Sequence, residues 1–149
     1  MRLAPGNILI QRDLAAFNFY LGRHQEAQQV LESLSRQNPR DEVALFYLGR
    51  ICQERHQVDQ ALALMEKVHN LNPALIDVYL NLGTLYGEKG NMGLAHYYLG
   101  FHSLKAKAYP TALFHFKKAL TNLPAGDSRC AEVKSQIARL EKLKVRVSN

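Results

Sequence analysis

Residues 45–65 read "LFYLGRICQERHQVDQALALM". Leu48-Gly49 stands three residues before Cys52, and Ala61 stands four residues before Met65. The same marks return in residues 79–95, "YLNLGTLYGEKGNMGLA", as Leu82, Gly83, Tyr86 and Ala95. They return more loosely in residues 13–31, "DLAAFNFYLGRHQEAQQVL", as Leu14, Ala15, Asn18, Ala27 and Leu31. The interval is constant. Pro5, Pro39 and Pro73 are 34 residues apart, as are Ala27, Ala61 and Ala95, and Leu14, Leu48 and Leu82. Independent columns that share one period define an internal repeat.

A 34-residue period with Leu-Gly-x-x-Tyr, then Ala followed four residues on by a large apolar residue, then Pro, resembles the tetratricopeptide repeat. The resemblance implies an all-α, right-handed superhelix of paired antiparallel helices, an α-solenoid. The chain departs from the family in having no Trp, its place falling to Gln11, Leu45, Tyr79 and His96. Physical reasons support the residue types. A small residue (Ala15, Gly49, Gly83, Gly100) lets the two helices of a pair approach closely. The alanines at 27, 61, 95 and 112 serve the same contact, and Leu31, Met65, Leu99 and Phe116 fill the space one turn later. Gly22 and Gly90 stand where helix C-caps are expected, and Pro39 and Pro73 where the second helices end.

The period predicts eight helices, at 8–21, 24–36, 41–55, 58–70, 75–88, 91–106, 109–121 and 127–145, and no strands. After Pro73 the columns shift. Leu99-Gly100, with Ala112, Phe116 and Pro124, follows Leu82-Gly83 by 17 residues, half a repeat. The helix near 92–105 is therefore expected to serve twice. The resulting plan is a single repeat domain over 1–149. Residues 1–7 would be the remnant of an upstream repeat. Repeats would follow at 8–41, 42–75, 76–109 and 93–126, with a capping helix at 127–146. Because Pro5 falls in the proline column, "RLAPGN" reads as the last turn of an earlier repeat, and the chain as a piece of a longer protein. In the last helix, Cys130, Val133, Ile137 and Leu140 share one face and Lys134, Arg139 and Lys142 lie away from it, as an end cap requires.

Composition limits the function classes. Apolar residues are 47% of the 149, and no run of them approaches a membrane span. Two cysteines, Cys52 and Cys130, are too few for a disulfide framework. Half of the net charge of +6 falls in residues 127–149, with six bases against three acids. That tail reads as a solvated helix face. Nucleic-acid binding through Lys134, Arg139 and Lys142 is the weaker alternative.

No enzyme signature is present. Of six histidines, none pairs at the i, i+4 spacing of a helical zinc site, and H-E-x-x-H is absent. His24 and His56 fall in turns and read as solvated. His96, His102 and His115 lie in an aromatic-rich stretch and read as packing or interface residues. There is no nucleophile elbow and no phosphate loop. Cys52 reads as a core thiol. No catalytic residue, cofactor or metal is expected.

The expected partner is a protein or peptide, held in a concave groove lined by first helices. Counting from the Leu-Gly columns, the groove positions are Arg12, Phe19, Tyr20, Phe46, Arg50, Gln53 and Glu54, then Asp77, Leu80, Asn81, Thr84 and Glu88. Tyr97 and Phe101 join them if the shared helix also lines the groove. Aromatics with a few arginines are the residue types of interface hot spots. Members of the family that clamp a chaperone's terminal carboxylate use basic and Asn positions. Ala16, Tyr47 and Asp77 stand there instead, and Asp77 would repel a carboxylate. A second copy of the chain, meeting across exposed terminal repeat faces, is the other partner to expect.

The stretch 93–120, "GLAHYYLGFHSLKAKAYPTALFHFKKAL", with the polar helix after "NLPAGD", is similar to the C-terminal repeat region of bacterial H-E-x-x-H zinc metallopeptidases. That resemblance implies a non-catalytic module that presents or restrains protein substrates, in a parent exported to the periplasm or membrane face. Without it, a stand-alone repeat scaffold in the cytoplasm is the expectation.

Overall fold

A computed structural model describes the backbone of residues 7–147 and the side chains through Leu143. The Pro5 turn assigned to an earlier repeat lies outside the described residues. Eight α-helices and no strands are present among the described residues. The chain divides into two compact units, the first ending at Pro73 and the second starting at Ala74.

The first unit holds α1 (Ile8–Tyr20), α2 (His24–Gln37), α3 (Glu42–Glu54) and α4 (Val58–Leu71). Consecutive helices pack as neighbours, and α3 also meets α1. Ala15, Ala27, Leu31, Leu34, Ala44 and Ile51 are buried together at the centre. The second unit holds α5 (Ile76–Glu88), α6 (Met92–Lys105), α7 (Tyr109–Asn122) and α8 (Arg129–Val147), again packed in chain order. Its core gathers Ala112, Phe116, Ala119 and Leu123 with Val133 and Leu140 of α8. Helix boundaries agree with the periodicity to within two residues. No helix among the described residues is long and apolar enough to cross a membrane.

The small-residue columns mark the crossings. A Cβ built on Gly83 would lie 2.7 Å from Leu99 Cγ, and one on Gly100 2.7 Å from the Phe116 ring. One on Gly49 would meet the flexible end of Met65 at 2.9 Å. In each pair the small residue and its large partner are sixteen positions apart, the same spacing as buried Ala15 and Leu31.

The turns carry the period as well. Gly22, His56 and Gly90, at 34-residue steps, all have positive φ (72°, 57° and 77°). The residue after each returns an N–H to the carbonyl five residues earlier: Arg23 to Asn18, Gln57 to Cys52 and Asn91 to Tyr86, each at 2.9 Å. This is the left-handed helix stop that favours glycine. His56 occupies it without that freedom. The turns after α2 and α4 pass through Asn38 (φ −136°) and Asn72 (φ −141°), each just before a proline. The turn after α6 is of the left-handed kind: Lys107 has φ 59°, and Ala108 N–H bonds Ser103 O at 2.9 Å. Helix α6 therefore enters and leaves through the same type of turn, and packs against both α5 and α7.

Asparagine and aspartate start three helices. Asn7, Asp41 and Asn91 accept from Ile10, Ala44 and Leu94 N–H at 3.4, 3.0 and 3.1 Å.

Candidate interaction surface

In the first unit the predicted positions gather around one ring. Phe19 is buried and meets Tyr20 edge-on (centroids 5.5 Å), stacks on His24 (5.3 Å) and leans on Tyr47 (5.4 Å). The Arg50 guanidinium sits over the Phe19 ring at 5.1 Å, a cation–π contact. Arg50 also reaches Glu54 at 4.0 Å, and Glu54 pairs with His24 Nε2 at 3.0 Å. Tyr47 bridges to Phe46 (5.5 Å) and to Tyr20 (6.2 Å). Phe19 and Phe46 are thus core residues rather than lining residues. What they support is the exposed part: Tyr20, 72% exposed, with Glu54 in the open and Arg50 and Gln53 half-buried.

Arg12, expected as a groove base, is committed elsewhere. Its Nε and Nη2 donate to Asp41 Oδ2 at 3.0 and 2.7 Å. The Asp41 side chain is 1% exposed and caps α3 through its other oxygen. Arg12 neutralises a buried carboxylate and ties α1 to the start of α3.

In the second unit Asp77, Leu80, Thr84 and Glu88 fall three to four residues apart, so they form one stripe along α5. Asp77, Leu80 and Thr84 are exposed along it, and so is Glu88 at its end. Asn81, counted with them, is instead buried, and its amide donates to the Asp77 carbonyl at 2.7 Å. The Thr84 hydroxyl donates to the Leu80 carbonyl at 3.0 Å, so its methyl and the Leu80 side chain form the apolar middle of a stripe with a carboxylate at each end.

Tyr97 and Phe101 stand apart from that stripe, in the contact between α6, α7 and α8. Phe101 lies edge-on to Phe116 and to Tyr97, both at 5.0 Å. The Tyr97 hydroxyl donates to Glu132 Oε2 of α8 at 2.6 Å, and Arg129 approaches its ring at 6.0 Å. Burial, then the bond to Glu132, raises the Tyr97 phenol far above its ordinary range.

Periodicity counting misses His24 and Tyr47. His24 opens α2 and is held by the Phe19 ring and Glu54, where a solvated turn residue is expected from the sequence. Tyr47 neighbours a predicted position, and only its contacts show that it joins the rings. Cys52 is half-buried, and burial raises its thiol pKa against the opposing effect of Arg55.

These hairpins, with a small residue at each crossing, define an all-α repeat fold of the tetratricopeptide type. The structure titled "MamA RS-1 ArsTM double mutant" shares the fold at a TM-score of 0.51 and 15% identity, covering 91% of this chain and 94% of that one. A second similar structure is titled as a thermophilic TPR protein, TTC0263, from Thermus thermophilus. It has a TM-score of 0.33 and 17% identity, over 87% of this chain and 96% of that one. No protein-family model and no curated protein matches the sequence.

Proposed function

We propose that the chain is a non-catalytic protein-interaction module with two contact surfaces, the exposed stripe of α5 in the second unit and the patch around Tyr20 in the first. The observation that carries this reading is the stripe itself. Leu80, 42% exposed, and Thr84 lie between Asp77 and Glu88 on one face of a rigid helix. An apolar centre with a charged rim is the composition of a small protein-binding surface. The acidic ends favour a partner segment carrying Lys or Arg beside an apolar residue.

The division into repeats belongs to the same reading. We take α6 as the last helix of one repeat and the first of the next, supported by the left-handed turns on both sides of it. Self-association across a terminal face also belongs here. Ile10, Phe17 and Leu21 of the first helix and its stop are each at least half exposed, and light scattering across a concentration series reads it. The finer assignment, a substrate-presenting or regulatory region of a zinc metallopeptidase, is supported by the sequence of residues 93–120. An H-E-x-x-H motif in the same reading frame is its direct test.

The experiment for the module is selection of peptides from a random display library on the full chain, followed by binding to variants. Leu80→Ala or Tyr20→Ala should weaken the selected peptides at least tenfold, with a shallow salt dependence. Peptides indifferent to both substitutions would overturn the reading. Affinity that collapses with salt and with Lys134→Glu and Arg139→Glu would favour the basic last helix and a polyanionic partner instead.

A further inference from the structure

Where α6 and α7 pack together, two imidazoles meet. His96 and His115 bring their Nδ1 atoms to 2.9 Å, with ring centres 5.2 Å apart and planes inclined by 36°. Both rings are half-buried, and Phe114 lies edge-on to each. At that distance one Nδ1 holds a proton and the other accepts it, because two N–H groups facing each other would repel. Burial favours the neutral rings. The nearby Lys118 adds to this at His96, and His96 and His102 add to it at His115, so both pKa values lie below the usual 6.5. Neutral imidazole is the form that binds metal ions.

We propose that His96 and His115 form a two-imidazole chelating site for a divalent late first-row transition-metal ion, bound through the two Nδ1 atoms between α6 and α7. The geometry carries this. Metal–imidazole bonds of about 2.0–2.1 Å set two ligand nitrogens about 2.9 Å apart at a right angle and about 3.3 Å apart at the tetrahedral angle. The observed 2.9 Å matches neighbouring corners of a tetragonal site once both rings turn, so that their Nδ1 lone pairs point at a common ion instead of along the hydrogen bond; a tetrahedral ion also needs a slight opening. Cu2+ and Ni2+ therefore fit with the least movement and Zn2+ with a little more, whereas Mg2+ and Ca2+ prefer oxygen ligands. Among the described residues no group of three His, Cys, Asp or Glu converges, so water completes the shell.

In the neutral pair, the shared proton leaves Nδ1 and the same ring takes one up at Nε2, so none is released. Where the pair carries an extra proton, one is released per ion bound. The ion joins helices already pressed close, since a Cβ on Gly93 would lie 2.9 Å from the Asn122 carbonyl oxygen and one on Gly100 against Phe116. Binding to the folded state alone raises its stability by mass action.

The test is calorimetric titration of the full chain with NiCl2 at pH 7.5, Ni2+ being chosen because it does not oxidise Cys52 or Cys130. His96→Gln and His115→Gln should each weaken the tightest binding at least tenfold. The double variant should lose no more than either, because one imidazole cannot chelate. His56→Asn should bind as the parent does. Variants that bind like the parent, or single losses that add in the double variant, would overturn the site. A second reading uses the unaltered chain. Under ZnCl2, the ring 15N signals of His96 and His115 should move together at one equivalent, and unmoved signals overturn the proposal irrespective of how the variants fold.

Discussion

The ring cluster of the first unit runs out to an exposed tyrosine, whereas that of the second is tied to an added helix. Around Phe19, the aromatic contacts end in exposed Tyr20 and a charged border of Arg50, Glu54 and His24. Around Phe101, one branch runs through Tyr97 to Glu132 of α8, where Val133 and Leu140 fill the core, and another reaches Tyr79 of α5 at 6.2 Å. Both clusters arise from the same kind of helix hairpin. The difference is an extra helix with one apolar face, which covers part of the second cluster. In the second unit the proposed contact surface is the α5 stripe.

The largest effect is expected at the crossings. Gly100→Val drives Cβ into the Phe116 ring, which is fully buried, and should cost about 3 kcal/mol in urea denaturation. Gly49→Ala meets only the movable end of Met65 and should cost about 1 kcal/mol. A loss at Gly49 as large as that at Gly100 would mean that the Gly49 crossing is the tighter, since Ala adds less bulk than Val. Next is the buried carboxylate of the first unit. Asp41→Ala removes the α3 cap and strands Arg12, and should cost about 2 kcal/mol by the same measurement.

A smaller effect, of opposite sign, is expected at the left-handed turns. His56→Gly in the first unit and Lys107→Gly in the second should each stabilise by about 0.5–1 kcal/mol, because glycine adopts their φ without strain. Gly22→Ala and Gly90→Ala should move stability the other way, read as thermal midpoints. The smallest effect is the pH response of the second unit. His96 and His115 have depressed pKa values, so the unfolded chain takes up protons first as pH falls below about 6.5. Stability conferred by the neutral pair is present above that pH and declines as pH falls toward the folded-state values. His96→Gln should flatten the fall in melting temperature between pH 7.5 and 5.5, and an unchanged slope would mean that other groups set it.

Much of the helical frame was legible because close helix crossings impose residue size at fixed intervals. Gly49, Gly83 and Gly100 announce their crossings, and Gly22 and Gly90 announce their turns. His56 and Lys107 hold the same turn without glycine, so no residue type pointed to it and only the backbone angle revealed it. The contact surface was less legible. Phe19, Phe46 and Asn81 fall on the counted face, yet they are buried. Periodicity reports which way a residue leaves its helix and says nothing of what arrives from elsewhere. Arg12 could not be distinguished from a ligand-binding base until Asp41 was seen 2.7 Å away, 29 positions along the chain.

All-helical character, helix limits to within two residues and the small residues at Gly49, Gly83 and Gly100 were readable in the sequence, because these follow from local backbone preference and a repeated steric demand. Which aromatics are covered, which charges are already paired, and that His96 and His115 touch emerged only with the packed helices. Those outcomes depend on the meeting of side chains from different helices, which no single stretch of sequence encodes.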